Sequence, residues 1–452
     1  VTALAPLALT HPLWDFGSRH QDVLNGRVAV TRQGVTAFNG HGYVKVNLDP
    51  WLDITWSAWP TGNRKVNYGP LFSADCRVQF STIRPGRGRV PSTNRSVTMT
   101  DERFSKPDVL GDPTGVDEIR FLILNGPDAP LDSLTVDAPR IGDVGRMVIE
   151  HGPWRITLDR HPNRKGFAYN VTHVGSLQRR SGAAFGFEAG RRLLERLANG
   201  LSFIRGGMAG LFLPTGLASG MTRCVAVYRP QVDSLERRPL TWFHPTIPTT
   251  DIDSLLRSIL SLNDKDVHDR VTGFALLYAI RAFETPIEIG MTQAMAGLEY
   301  LVDHEIKPVW QAANPGKNWI KEPAFNKIGD LGDVYGLPHR NGSVATIRRY
   351  QAKNGITPSG KAMTDRAKFL EPVTWARNKH IHPDSKARDE YPHRVWWEAY
   401  SVSTEWITLA VLHRLGYTGS YTTWGGRRPT WEVKLRRLKA HTSSARSSRS
   451  VP

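Results

Sequence analysis

Cysteine is nearly absent. The 452 residues hold two, Cys76 and Cys224, too few for a disulfide framework or a structural zinc site. Long apolar runs are missing as well: nothing reaches the ~18 residues a membrane helix needs. The opening VTALAPLALTHPLWDFGSRH has a short apolar stretch without a basic flank, so it reads as neither a signal peptide nor a span. These absences place the chain in the cytoplasm, away from membranes. No segment repeats at a fixed period, which excludes solenoids and propellers. Acid is in deficit: 59 Lys and Arg against 42 Asp and Glu leave a net charge of +17. Such an excess favours polyanionic partners, nucleic acid first, through phosphate neutralisation and counterion release. Heavy use of arginine by a genome gives the same total without a nucleic-acid role.

What is present divides by periodicity. Residues 1–228 read as a β-rich domain. VTAFNGHGYVKVNL, LDITWSAW, CRVQFSTIR, EIRFLILNG, RMVIEHGPWRITLDR and CVAVYRP are short, rich in β-branched and aromatic residues, and punctuated by Gly, Pro, Asn and Asp, as in a β-sandwich. One helix interrupts them, FEAGRRLLERLANGLSFI, with Leu193, Leu194, Leu197 and Leu201 at helical spacing. Residues 229–250 carry four prolines and read as a linker. Residues 251–435 change to a 3.6-residue period and read as a helical bundle, its first helix capped at Asp251 or Asp253. Residues 308–345, rich in Gly, Pro and Asn, read as a functional loop or insertion. The basic tail 436–452 reads as disordered. The fold class is therefore α+β multidomain, a β-sandwich-like domain followed by an all-α bundle.

The segment VTWARNKHIHPDS, residues 373–385, concentrates chemistry. Asn378 and His382 are four apart and share a helix face, with Arg377 about 100° round. Pro383 disfavours helical geometry at His382, so the helix ends there, and a helix C-terminus favours imidazolium. A histidine near its working pKa takes or gives a proton in RNA phosphodiester cleavage. A guanidinium stabilises the charge developing on the phosphoryl group, and an amide orients either. This set calls for no metal and no organic cofactor. No acidic cluster with metal-ligand spacing stands nearby, which disfavours a two-metal nuclease.

Arg377-Asn378-Lys379-His380-Ile381-His382 resembles the R-N-x-x-x-H motif of HEPN-domain ribonucleases. The looser form, Arg followed at a short interval by His, also occurs at Arg146/His151, Arg155/His161, Arg238/His244, Arg388/His393 and Arg436/His441, but Asn adjoins the Arg only at 377. QAMAGLEYL (Gln293–Leu301) and HRLGYTGSY (His413–Tyr421) are similar to helix segments of the ApeA-like branch of that family, which also places a β-rich domain first. The likeness covers about residues 255–425. It departs at Pro383, where the family commonly has Gly, and in the length of 308–345. The resemblance implies a HEPN-like helical domain, a homodimer whose two motifs form one composite cleft, cleavage to a 2′,3′-cyclic phosphate, and a role in anti-phage defence in which the β-rich domain meets an unknown trigger. Arg377, Asn378 and His382 would be catalytic, with His380, Lys379 and Glu299 as accessory residues.

Plainer alternatives stand beside this. The 377–382 segment is otherwise a solvated helix end whose cations answer the macrodipole. A non-catalytic RNA- or protein-binding module would use the same fold. RPGRGRVPSTNR (Arg84–Arg95) reads as a solvated hairpin before a phosphate clamp. FIRGGMAGLFLPTGLASG (Phe203–Gly220) reads as tight turns between buried strands. Trp396, Trp397, Tyr400 and Trp406 have the spacing of core or interface residues rather than base-stacking ones. Trp51, Trp56, Trp59 and Tyr68 would also suit a carbohydrate-binding face on the β-rich domain.

Overall fold

In a computed structural model of the chain, the structure describes residues 9–14, 20–32, 35–48, 52–61, 76–80, 97–99, 108–128, 132–133, 145–161, 168–235, 241–357, 362, 364–381, 392–422 and 435–437. Two compact units divide the chain. Residues 1–201 and 208–238 form the first, and 202–207 with 239–452 form the second.

The first unit holds two antiparallel sheets. The smaller contains β1 (His20–Arg32), β2 (Val35–Asn47), β3 (Asp53–Pro60), β4 (Cys76–Phe80) and β5 (Val97–Met99), in the order β4-β1-β2-β3-β5. The larger contains β6 (Asp108–Gly111), β7 (Glu118–Leu124), β8 (Asp132–Ser133), β9 (Gly145–His151), β10 (Trp154–Arg160), β11 (Val171–Arg179), β12 (Gly210–Ala218) and β13 (Met221–Val227), in the order β6-β13-β12-β7-β11-β10-β9-β8. Period-two alternation sets the faces. On β2, Val44 and Val46 are buried while His41 and Lys45 are exposed. Val28, Val44, Val46 and Ile54 of the small sheet enter one apolar cluster with Leu122, Leu124, Val174, Phe212 and Val227 of the large one. Each such side chain removed from water contributes about 1.5–3 kcal/mol.

The opposite face of the large sheet carries Ile119, Phe121 and Ile123, all fully buried. Helix α1 (Phe187–Arg205) lies over it. A Cβ at Gly190 would come within 2.6 Å of Ile119 and 3.0 Å of Leu177, so glycine permits the close approach. Leu193, Leu194, Leu197 and Leu201 are buried at the spacing read from the sequence.

Three long strands, β1, β11 and β12, are absent from the sequence reading. β12 holds Pro214 and Gly216, both poor in a central strand. A register shift between Phe212 and Thr215 absorbs the proline, and Leu213 takes a positive φ of 46° there.

The second unit is helical: α2 (Thr249–Leu260), α3 (Val267–Glu284), α4 (Ile287–Glu305), α5 (Lys307–Ala313), α6 (Ala324–Tyr335), α7 (Ala345–Lys353), α8 (Asp365–Ile381) and α9 (His393–Arg414). A short strand pair, β14 (Ser420–Thr422) and β15 (Leu435–Arg437), departs from the all-α expectation. The proline-rich segment is divided: residues 229–235 pack in the first unit, where Asn125 Nδ2 donates to the Asp233 carbonyl at 2.7 Å, and residues 241–250 pack in the second. Trp242 is 2% exposed, and its Nε1 donates to the Phe203 carbonyl at 3.0 Å. The α2 cap also differs from expectation. Pro248 holds the N-cap position without a side-chain bond, and Asp251 instead accepts from the Ser420 amide at 2.8 Å.

The largest correction concerns 308–345. This segment is not a loop: it contains α5 and α6, and α6 is built into the core through Ile328 and Leu331, both fully buried. Its glycines serve packing. A Cβ at Gly332 would meet the Trp406 ring at 2.6 Å. Gly336, at φ 62°, ends the helix in the left-handed region. α9 is buried on nearly every side from Val395 to Leu412, as a central helix must be. Two of its buried hydroxyls bond within the helix, Ser403 Oγ donating to Ala399 O at 2.7 Å and Thr404 Oγ1 to Tyr400 O at 2.8 Å, while Thr408 Oγ1 is buried with no partner among the described residues. Trp406 and Tyr400 are core residues, 1% and 3% exposed. Among the described residues, no helix is long and apolar enough to cross a membrane.

Candidate functional site

Pro372 lies inside α8 and supplies no amide, which leaves the Lys368 carbonyl unpaired within the helix. Arg348 of α7 donates to that carbonyl through Nη2 at 3.2 Å, so a neighbouring helix repairs the gap. Residues up to Ala376 are mostly buried. The helix then emerges: Arg377, Lys379 and His380 are half-buried, and Asn378 and Ile381 are exposed. It ends at Ile381.

The structure brings Arg377, Asn378 and Glu299 together. Arg377 Nη1 donates to Asn378 Oδ1 at 3.0 Å, and Nη2 donates to Glu299 Oε2 of α4 at 3.2 Å, across a sequence separation of 78. Arg377 Nε is buried and has no acceptor among the described residues. The guanidinium is thus fixed at two nitrogens with a third N–H donor unspent. The His380 ring packs edge-on against Trp396 of α9, centroids 5.7 Å apart and planes at 75°. That contact gives His380 a packing role beside the helix end. His382 lies outside the described residues, as do the basic loop 84–95, Trp51, Tyr68 and the tail 438–452.

A second cation belongs to this neighbourhood and was missed, because it sits on α6 in the segment read as a loop. Lys327 Nζ lies 4.8 Å above the Trp319 ring, a cation–π arrangement. Burial lowers its pKa from the usual lysine value, opposed by the charges of Asp303, Glu299 and Glu322. Trp319 is anchored in turn, its Nε1 donating to Asp303 Oδ1 at 3.0 Å. Glu299 therefore lies between the influence of two cations, Arg377 and Lys327. The signal that would have found Lys327 is the 3.6-residue pattern of Phe325, Ile328 and Leu331, hidden by the flanking Gly and Asn.

Among the described residues, no three His, Cys, Asp or Glu side chains converge as a metal site. In the first unit burial shifts several ionisable groups. Cys224 is buried and free, and burial pushes its thiol up to about 12, which keeps it an unreactive thiol near neutral pH. His173 is lowered to about 3 and His11 to about 4, both chiefly by burial. Trp59, His41 and Tyr43 cluster on the outer face of the small sheet, with Trp59 6.4 Å from His41 and 6.1 Å from Tyr43.

Residues 111–237 match a family model described as the YopA central domain. The match runs from the end of β6 through β13, α1 included, and ends before α2, so it does not reach α8, which carries Arg377. No curated protein and no solved structure matches the chain.

Proposed function

We propose that the protein is a metal-independent endoribonuclease of HEPN type, acting as a homodimer through its helical unit. The observation that carries this reading is the Arg377 guanidinium, held by Asn378 and Glu299 at the emerging end of α8 with its side chain one-fifth exposed, 20%. Rigid, partly desolvated donors of this kind stabilise charge that develops in a transition state. In the reaction the 2′-oxygen bonds to phosphorus as the 5′-oxygen leaves, giving a 2′,3′-cyclic phosphate and a 5′-hydroxyl. His382 takes the 2′-hydroxyl proton or supplies one to the leaving oxygen. Arg377 meets the charge on the non-bridging oxygens, and Asn378 orients the phosphate or the histidine. The resemblance to ApeA-like proteins supports a role in anti-phage defence, with the β-rich unit meeting the trigger.

The assignment between histidines is tested by comparing His382→Ala with His380→Ala on one RNA substrate. The expected outcome is loss of cleavage in the first. In the second, partial activity should remain with a lowered melting temperature, since His380 packs on Trp396. A folded, active His382→Ala protein moves the role to His380.

One observation favours a second reading, a non-catalytic RNA-binding module. Glu299 already neutralises Arg377, which gives the guanidinium a purely structural use. That reading predicts salt-dependent binding with no product ends.

A further inference from the structure

A cleft of about 670 Å³ opens between α7 and the start of α9, away from the Arg377–Glu299 pair. Thr346, Arg349, Tyr350 and Lys353 line it from α7 and Arg394 from α9. A space of this size holds a nucleotide. We propose that it is a phosphate-binding site that grips the backbone of single-stranded RNA. The proposal rests on the ribonuclease reading only in taking RNA as the polymer.

The charge pattern is the first argument. Arg349 and Lys353 are four apart on one helix edge, where like charges repel, and both are exposed. Arg394, also exposed, brings a third cation to the same cleft in the first turn of α9, where the helix dipole adds positive potential. Among the described residues, none of the three makes an ion pair. Glu398 of α9 is 6% exposed. Its Oε2 is committed to capping α7, accepting from the amides of Thr346 at 2.8 Å and Ile347 at 3.1 Å. A mutual repulsion with no ion-paired acid among the described residues is relieved by an anion.

The second argument is the aromatic residue among the cations. Tyr350 is half-buried, and its ring lies 6.1 Å from that of Trp375 on α8, so one face of the ring is backed by protein. A supported ring beside a basic groove is the combination that holds single strands, stacking a base while cations track the backbone. The third is position. Arg394 and Trp396 both lie in the first turn of α9, and Trp396 packs against His380, so the cleft and the end of α8 border the same helix terminus.

The test is fluorescence anisotropy of a short 5′-fluorescein oligouridylate in EDTA, over a range of salt concentrations. It compares the full-length protein with the triple variant Arg349→Gln, Lys353→Gln, Arg394→Gln and with the single variant Arg394→Glu, all checked by thermal melting. Loss of three phosphate contacts lowers the slope of log affinity against log salt by about 2 for a single strand, and the single reversal weakens binding in the same direction. Binding at the cleft without cleavage by any variant leaves the site standing and defeats the ribonuclease reading instead. Equal affinity and slope in the wild type and the folded variants overturns the proposal. So does a wild type that binds no oligouridylate, or equal competition by a polyglutamate peptide, which would make the cleft an acidic-peptide site.

Discussion

Replacing Glu299 by Gln separates positioning from stability at the candidate site. The carboxylate holds Arg377 at 3.2 Å, but its side chain is 38% exposed and that of Arg377 is 20% exposed. Ion pairs this open to solvent contribute about 0.2–1 kcal/mol. For a unit of this size 1 kcal/mol corresponds to a melting shift of about 2–4 °C, so Glu299→Gln should lower the melting temperature by only a few degrees. Its effect on cleavage should be larger. Removing a transition-state donor outright costs about 10²–10³ in kcat, and loosening one by an ångström costs up to about 10². Glu299→Gln should therefore reduce kcat by about 10–100-fold with KM nearly unchanged, and Arg377→Ala by more. Single-turnover cleavage beside thermal melts would measure both. An unchanged kcat in Glu299→Gln, with Arg377→Ala inactive, would refute the positioning role. A melting loss well above 10 °C would show that the pair is structural and that its exposure misleads.

Two further outcomes follow from the core and from buried histidines. Trp406→Ala should destabilise the helical unit by about 3–5 kcal/mol, because it empties the space against Phe369 and Gly332 and leaves the Pro338 carbonyl without its donor; denaturant titration reads this directly. Stability of the β-rich unit should fall as pH drops from 6.5 toward about 4. Unfolded His11 takes a proton near 6.5, whereas the folded side chain, buried beside Arg120, refuses one until about 4, so the unfolded state binds more protons in that window. His173, buried near Arg160 and His161, extends the decline toward pH 3. His11→Gln should flatten the upper part of the profile while lowering stability near neutral pH, as followed by urea unfolding.

The helices that bury one stripe were readable in the sequence because their apolar spacing has nothing to conceal it; α1 and α3 are of this kind. α6 was not, since Gly329 and Gly332 look like turn residues until Ala367 and Trp406 are seen packed against them. β12 was hidden by Pro214, which a register shift accommodates. At the site, the Arg377–Asn378 adjacency is a local signal and carried over. Glu299 was named only as a possible partner across the bundle, and its distance from Arg377 needed coordinates. Lys327 and the Arg349–Arg394 cleft depend on helices distant in sequence returning to one place, and no local pattern records that.

Cleavage of RNA in EDTA tests the central claim most directly, with the wild type beside Arg377→Ala and His382→Ala and with product ends identified. The account predicts cleavage that survives chelation, leaves 2′,3′-cyclic phosphate, and vanishes in both variants while their melting temperatures stay near the wild type. Cleavage abolished by EDTA, or retained by a folded Arg377→Ala protein, would contradict it.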